Sequence, residues 1–310
     1  MQMPTKHAKP GYDKPLYILP FDHRASYIKG MFSLKAPLTD AQHAKVADSK
    51  QLIYEGFKVA LTQGVDVSTA GILVDEEFGA DILADATKHG FLTAVSTEKS
   101  GSEEFDFEYG DDFGAHLDAV KPTFAKALVR YNPEGDADMN ARQTARLKRL
   151  SDVCIEKDLP FMFELLVPAT EAQMASVGGD KEAFDLTLRP KLMRDAIERL
   201  QDDGVEPAIW KIEGLDSRAD AEMIVKSARR AGRDRVGCIV LGRGADAKKV
   251  VFWLKTAAAV PGFTGFAVGR TSFWDAVAGF EQKTLSREEA AARIGAQYRE
   301  WVDTFTSGLK

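Results

Sequence analysis

Lys211 and Glu213 are set into an otherwise apolar stretch, "PAIWKIEGL" (207–215), where burying an unpaired charge is costly. Strand side chains alternate between two faces. Ala208, Trp210 and Ile212 then share one face, and Ile209, Lys211 and Glu213 the other. A lysine that is desolvated, and lies beside a second cation such as Lys126, is pushed toward the free amine. A free amine attacks a ketone and forms an imine, an electron sink that allows a carbon–carbon bond to break. Glu164, in "FMFELLV" (161–167), is the carboxylate suited to take a hydroxyl proton as that bond breaks.

The same alternation, applied to other short apolar runs, adds to this set. In "KALVRY" (126–131), Lys126, Leu128 and Arg130 oppose Ala127, Val129 and Tyr131. In "LYILPFD" (16–22), Asp22 shares a face with Ile18 and Pro20, and "GILVD" (71–75) ends on Asp75. Paired charges can simply fill a layer of a barrel interior. Seven ionisable residues, namely Lys211, Glu213, Glu164, Lys126, Arg130, Asp22 and Asp75, are harder to explain that way, given what desolvation costs.

Positioning these residues needs eight strands: 16–22, 71–75, 91–97, 126–131, 161–167, 208–214, 237–243 and 265–270. Amphipathic segments lie between them, such as "DAQHAKVADSKQLIYEGFKVAL", "NARQTARLKRLSDVCIEK" and "PKLMRDAIERLQDDG". Alternating strands and helices imply parallel βαβ units. Eight such units in a chain of 310 residues predict α/β structure, a single (β/α)8 TIM barrel with its site at the C-terminal strand ends. A doubly wound open sheet is the weaker fit. No linker divides residues 1–310, so one domain is expected, with 1–14 an irregular N-terminal extension. The longest insertion, "EKSGSEEFDFEYGDDFGAHLD" (98–118), reads as a loop with a solvated acidic face, placed where it could rim the site or form a subunit contact.

Two Gly-Arg constructions follow the last two strands, "VLGRGAD" (240–246) and "AVGRTSF" (267–273). Such barrels often hold phosphate there on backbone N–H groups. Gly242, Gly244 and Gly269 permit close approach, and Arg243 or Arg270 could fork onto phosphate oxygens. Gly242-x-Gly244-x-x-Ala247 loosely matches a dinucleotide fingerprint but lacks the acidic residue that would hold a ribose. Of the five histidines only His23 lies at a strand end, so the cluster a zinc enzyme needs is missing; oxygen ligands for magnesium leave no spacing to test.

A net charge of -6 argues against bulk attraction to nucleic acid or an anionic membrane. Two cysteines, Cys154 and Cys238, suit buried thiols in a reducing compartment. No signal peptide or membrane-spanning run is seen, which makes the cytoplasm the expected location. Homo-oligomerisation is left open.

Across nearly its whole length the chain resembles the aldolase domain of bacterial inositol catabolism, found alone or fused behind 5-dehydro-2-deoxygluconokinase. The stretches that carry the resemblance are "FDHRASY", "ILVDEEFGADIL", "EKSGSEEFDFEYGDDFGAH", "ALVRYNPEGD", "FMFELLVP", "WKIEGLD", "GCIVLGRGAD" and "GFAVGRTSFW". More distantly it is similar to class I tagatose-bisphosphate and sulfofructose-phosphate aldolases. The resemblance implies that Lys211 forms the imine, that Glu164 is the acid/base, and that Lys126 stands beside them. It further implies Asp22 and His23 at the substrate, Gly269 and Arg270 at the phosphate, and no metal or organic cofactor. His23 replaces a glutamine of the tagatose enzymes, Ala25 stands where relatives often have glycine, and "LGRGAD" differs, so the non-phosphate half of the substrate is expected to differ too. The expected substrate is a phosphorylated keto sugar acid, 2-deoxy-5-keto-gluconate 6-phosphate, with Arg24, Asp75, Glu98, Arg130 and Glu213 also around it. Arg24, Arg130 and Arg243 are equal candidates for its carboxylate. Another ketose phosphate, or a non-catalytic sugar-phosphate sensor on the same scaffold, are the alternatives.

Overall fold

The computed structural model describes residues 10–309, so residues 1–9 of the expected extension lie outside it. Eight strands form a closed barrel in sequence order. They are β1 (Leu16–Pro20), β2 (Ala70–Val74), β3 (Leu92–Ser96), β4 (Phe124–Arg130), β5 (Phe161–Leu166), β6 (Ile209–Glu213), β7 (Gly237–Leu241) and β8 (Phe263–Ala267). Every neighbouring pair is parallel, including the closing pair β1–β8. With helices covering the outer faces, this is the expected (β/α)8 barrel.

Alternation along the strands divides the core in two. Leu16, Ile18, Leu73, Phe124, Met162, Ile209 and Ile239 pack together inside the barrel and fill its lower layers. Residues of opposite parity pack outward: Trp210 and Phe163, opposite each other in register, bring their rings to 4.8 Å under the helices. Each large apolar side chain so buried contributes roughly 1.5–3 kcal/mol. The apolar plug below forces any polar inward-facing side chain into the upper layers, toward the C-terminal mouth.

Helix ends follow local sequence. Thr39 and Gln42 form a capping box for helix Asp40–Thr62, and Ser286 and Glu289 do the same for helix Arg287–Gly308. Several strands stop short of expectation: β1 ends at Pro20, β2 at Val74 and β7 at Leu241, so Asp22 and Asp75 lie just past their strands. β8 stops at Ala267, so Gly269 is the N-cap of helix Arg270–Glu281 rather than a strand residue.

The 98–118 insertion is more ordered than a solvated loop. An antiparallel bridge joins Glu98 to Phe107, and Phe113–Val120 is a helix. Phe105, Phe107 and Phe113 are buried, and the last two stack at 4.0 Å. Several of its acids are paired rather than free: Glu104 with Arg142 and Arg146, Asp111 with Arg149, Asp118 with Lys157.

Candidate active site

Register puts the two central residues side by side: Glu164 on β5 is the direct neighbour of Lys211 on β6. Lys211 Nζ donates to Glu164 Oε1 at 2.7 Å. The other carboxylate oxygen, Glu164 Oε2, lies 2.9 Å from Lys126 Nζ. Glu164 therefore stands between the two lysines, where the sequence had suggested two cations face to face. Both lysines are almost wholly buried.

Lys126 is enclosed by acids. Besides Glu164 it reaches Asp22 Oδ2 at 2.7 Å and Glu98 Oε1 at 2.6 Å. Burial works against its charge, but the three carboxylates hold the ammonium well above the ordinary lysine range. Burial also opposes ionisation of Glu164 and Asp22, yet Lys126 and Lys211 outweigh it and keep both carboxyls below the usual range. Glu98 goes the other way: burial, with Asp22 adding to it, pushes its carboxyl up against the pull of Lys126. Glu98 Oε2 is buried and has no hydrogen-bond partner among the described residues.

His23 follows Asp22 at the end of β1. Burial lowers its pKa to about 4, with Arg270 and Lys211 pushing the same way and Asp22 opposing. The ring is therefore neutral near pH 7, and its buried Nδ1 is without a partner among the described residues. A neutral imidazole that still has hydrogen-bonding capacity is suited to a substrate hydroxyl or carbonyl.

These groups open into a cavity of about 430 Å³. Asp22, His23, Glu98, Glu164 and Lys211 form its floor, Leu128 and Arg130 one wall, and residues 99–105 of the insertion its rim. Arg24 fastens that rim, donating to Glu108 Oε2 at 2.6 Å and to the Glu98 carbonyl at 2.7 Å. Arg130 is exposed at the end of β4; among the described residues its one side-chain hydrogen bond is a long 3.4 Å contact to the Ser102 carbonyl.

Other expected residues go elsewhere. Asp75 does not join the site: its carboxylate pairs with the fully buried Lys50 and caps helix Glu76–Lys88 through Phe78 N at 3.0 Å. Glu213 points inward but is taken by Arg189 (3.1 Å), Arg243 (2.8 Å) and Val167 N (3.0 Å). Arg243 also pairs with Asp185 at 2.8 Å, so its guanidinium is already engaged by acids. Two carboxylates, Glu213 and Asp185, occupy that guanidinium, and the backbone is left-handed at Arg243 (φ 54°) and Gly244 (φ 71°). Arg243 and Glu213 instead line a second cavity of about 300 Å³ beside Arg130.

Gly269 and Arg270 do adjoin the site. Arg270 Nη2 donates to Ser26 Oγ at 3.0 Å, and Ser26 lines the main cavity. A Cβ on Gly269 would come within 2.5 Å of the Pro20 carbonyl, so glycine is what lets the helix start lie against the end of β1.

Several contributors were not singled out from sequence. Ser96 donates to Asp22 at 3.1 Å and could have been found, because it shares the inward parity of Leu92 and Ala94. Lys50, Arg189 and Asp185 lie on helices, where strand parity gives no signal. Among the described residues no group of three or more His, Cys, Asp or Glu is placed to hold a metal ion, and no helix is long and apolar enough to cross a membrane.

A family model described as "Uncharacterized protein conserved in bacteria (DUF2090)" matches residues 5–308. Tagatose 1,6-diphosphate aldolase 1 of Streptococcus pyogenes is 24% identical over 241 residues, 71% of each chain. Among solved structures, fructose-bisphosphate aldolase from Plasmodium falciparum superposes with a TM-score of 0.64 at 13% identity, covering 94% of this chain and 91% of that one. A Schiff-base-forming fructose-1,6-bisphosphate aldolase superposes with a TM-score of 0.56 at 15% identity, covering 93% of each chain. At these identities the structural likeness carries the fold alone.

Proposed function

The chain belongs to the DUF2090 family, and we propose that it is a Schiff-base aldolase acting on a phosphorylated keto sugar acid, 2-deoxy-5-keto-gluconate 6-phosphate. One observation carries this reading: a buried lysine, Lys211, lies 2.7 Å from a carboxylate that is itself held ionised by a second lysine. Lys211 attacks the C5 ketone after passing a proton to Glu164. Glu164 returns that proton to the departing carbinolamine hydroxyl, and loss of water leaves an iminium ion at C5, adjacent to C4, with Glu164 again a carboxylate. Glu164 then takes the C3 hydroxyl proton, the C3–C4 bond breaks, and its electron pair flows to the iminium nitrogen. Malonic semialdehyde leaves, and the remaining enamine is protonated at C4 and hydrolysed to dihydroxyacetone phosphate.

Asp22, Lys126 and Glu98 form the fixed electrostatic frame for these steps, so little reorganisation is needed as charge moves. Neutral His23 offers hydrogen bonds to substrate oxygens. The phosphate lies at Gly269 and Arg270, against the helix start after β8. The distant similarity to the tagatose enzyme favours a second reading, in which the substrate is a ketose bisphosphate. Residue roles near Lys211 are then unchanged.

Turnover separates the two. The purified protein is incubated with the deoxy keto acid phosphate, tagatose 1,6-bisphosphate or fructose 1,6-bisphosphate, and release of triose phosphate is followed. The keto acid phosphate is expected to give the highest kcat/KM. Preference for a bisphosphate would overturn the specificity, and cleavage of none of them would overturn the aldolase reading.

A further inference from the structure

The cations in and around the main cavity differ sharply in how far they are already neutralised. Lys211 is paired with Glu164, and Lys126 lies among three acids. Arg24 is paired with Glu108 and bonded to the Glu98 carbonyl, with only its buried Nε left without a partner among the described residues, and Arg243 is paired with Glu213 and Asp185. Arg130 and Arg270 have no carboxylate partner among the described residues.

Their positions matter as much as their freedom. In a closed barrel of eight strands in sequence order, β4 and β8 stand opposite each other. Arg130 ends β4, Arg270 opens the helix after β8, and Lys211 rises from β6, midway between them. Leu128 is in register with Glu164, so Arg130, two residues further on, lies about 6–7 Å above the Lys211–Glu164 level, at the cavity mouth. An acceptor fragment extending from the imine carbon toward β4 meets this guanidinium.

Resting on the aldolase reading, we propose that Arg130 is the residue that selects substrates with a second anionic group, by binding the carboxylate at the end remote from the phosphate. The guanidinium is exposed and weakly tethered, so it reorients toward a carboxylate without breaking an existing ion pair. Its planar fork matches a carboxylate bidentately. Of the other cavity-lining cations, Lys99 is the rival. It is an exposed point charge on the rim of the insertion, outside the inward-facing column of β4.

The test runs the reaction in the condensation direction, with dihydroxyacetone phosphate as donor. Acceptors are malonic semialdehyde, which is anionic, and propanal, a neutral aldehyde of the same length. Arg130→Gln is expected to lower kcat/KM for malonic semialdehyde about 10- to 100-fold, mainly through KM, and for propanal less than about threefold. Arg130→Lys should recover part of the loss, and Lys99→Gln should discriminate little. Equal losses for both acceptors, or discrimination that follows Lys99 instead, would overturn the proposal. Borohydride trapping of dihydroxyacetone phosphate on Arg130→Gln keeps the two levels apart. A normal adduct with unchanged acceptor preference sinks the role of Arg130 alone, whereas a wild type that forms no adduct sinks the aldolase reading with it.

Discussion

Asp22 and Lys126 meet at 2.7 Å across the barrel, Asp22 from just past β1 and Lys126 from β4, strands that are not neighbours. This contact closes the acidic ring around the Lys126 ammonium and fixes both residues relative to Glu164.

Replacing Lys126 by methionine leaves Asp22, Glu98 and Glu164 facing one another without their shared cation. Removing one partner of a buried ionic group typically costs about 3–5 kcal/mol. Denaturant unfolding of Lys126→Met should show a loss of that size at pH 7, which shrinks as pH falls and the carboxyls take up protons. Activity should fall with it, because Glu164 loses the cation that keeps it ionised. Wild-type stability in this variant would mean that the ring is not a charged network.

His23 gives a pH dependence with a definite sign. An unfolded histidine takes up its proton near 6.5, whereas burial delays His23 to about 4. Between these values the unfolded state binds more protons, so stability contributed by this residue is complete above about 6.5 and drains away as pH falls toward 4. The ring edge is partly exposed, which limits the effect to on the order of 2 kcal/mol. Histidine proton resonances followed by NMR should place the His23 midpoint well below the ordinary 6.5. A midpoint near 6.5 would remove the neutral imidazole from the site.

Asp75 tests the division between scaffold and site. Asp75→Asn removes the charge facing buried Lys50 and weakens a helix cap, so a loss of about 3 kcal/mol or more in unfolding free energy is expected. Catalysis at temperatures well below the unfolding transition should change by less than about threefold. A large drop in kcat with unchanged stability would return Asp75 to the substrate.

How far the sequence reached depended on what fixes each side chain. Lys126, Glu164 and Lys211 were legible because strand parity alone decides their face, and the apolar plug beneath leaves polar inward residues only the mouth; Asp22, two residues past β1, is held inward by Lys126 and Ser96. Asp75 shares that parity but lies one residue past β2, where helix capping and Lys50 take over. Glu213 and Arg243 were misplaced because their partners, Asp185 and Arg189, come from helices whose approach to the barrel no strand pattern encodes. The 98–118 insertion looked like a solvated acidic run. Its buried phenylalanines and its ties to Arg24, Arg142 and Arg146 depend on contacts distant in sequence.

The central claim is that Lys211 becomes covalently joined to a substrate carbonyl carbon. Incubation with dihydroxyacetone phosphate followed by borohydride reduction and peptide mass mapping reads this directly. A stable adduct of reduced triose phosphate is expected on the peptide containing Lys211, and it should disappear in Lys211→Met and form much more slowly in Glu164→Gln. No adduct on the wild type, or an adduct carried by another lysine, would contradict the account.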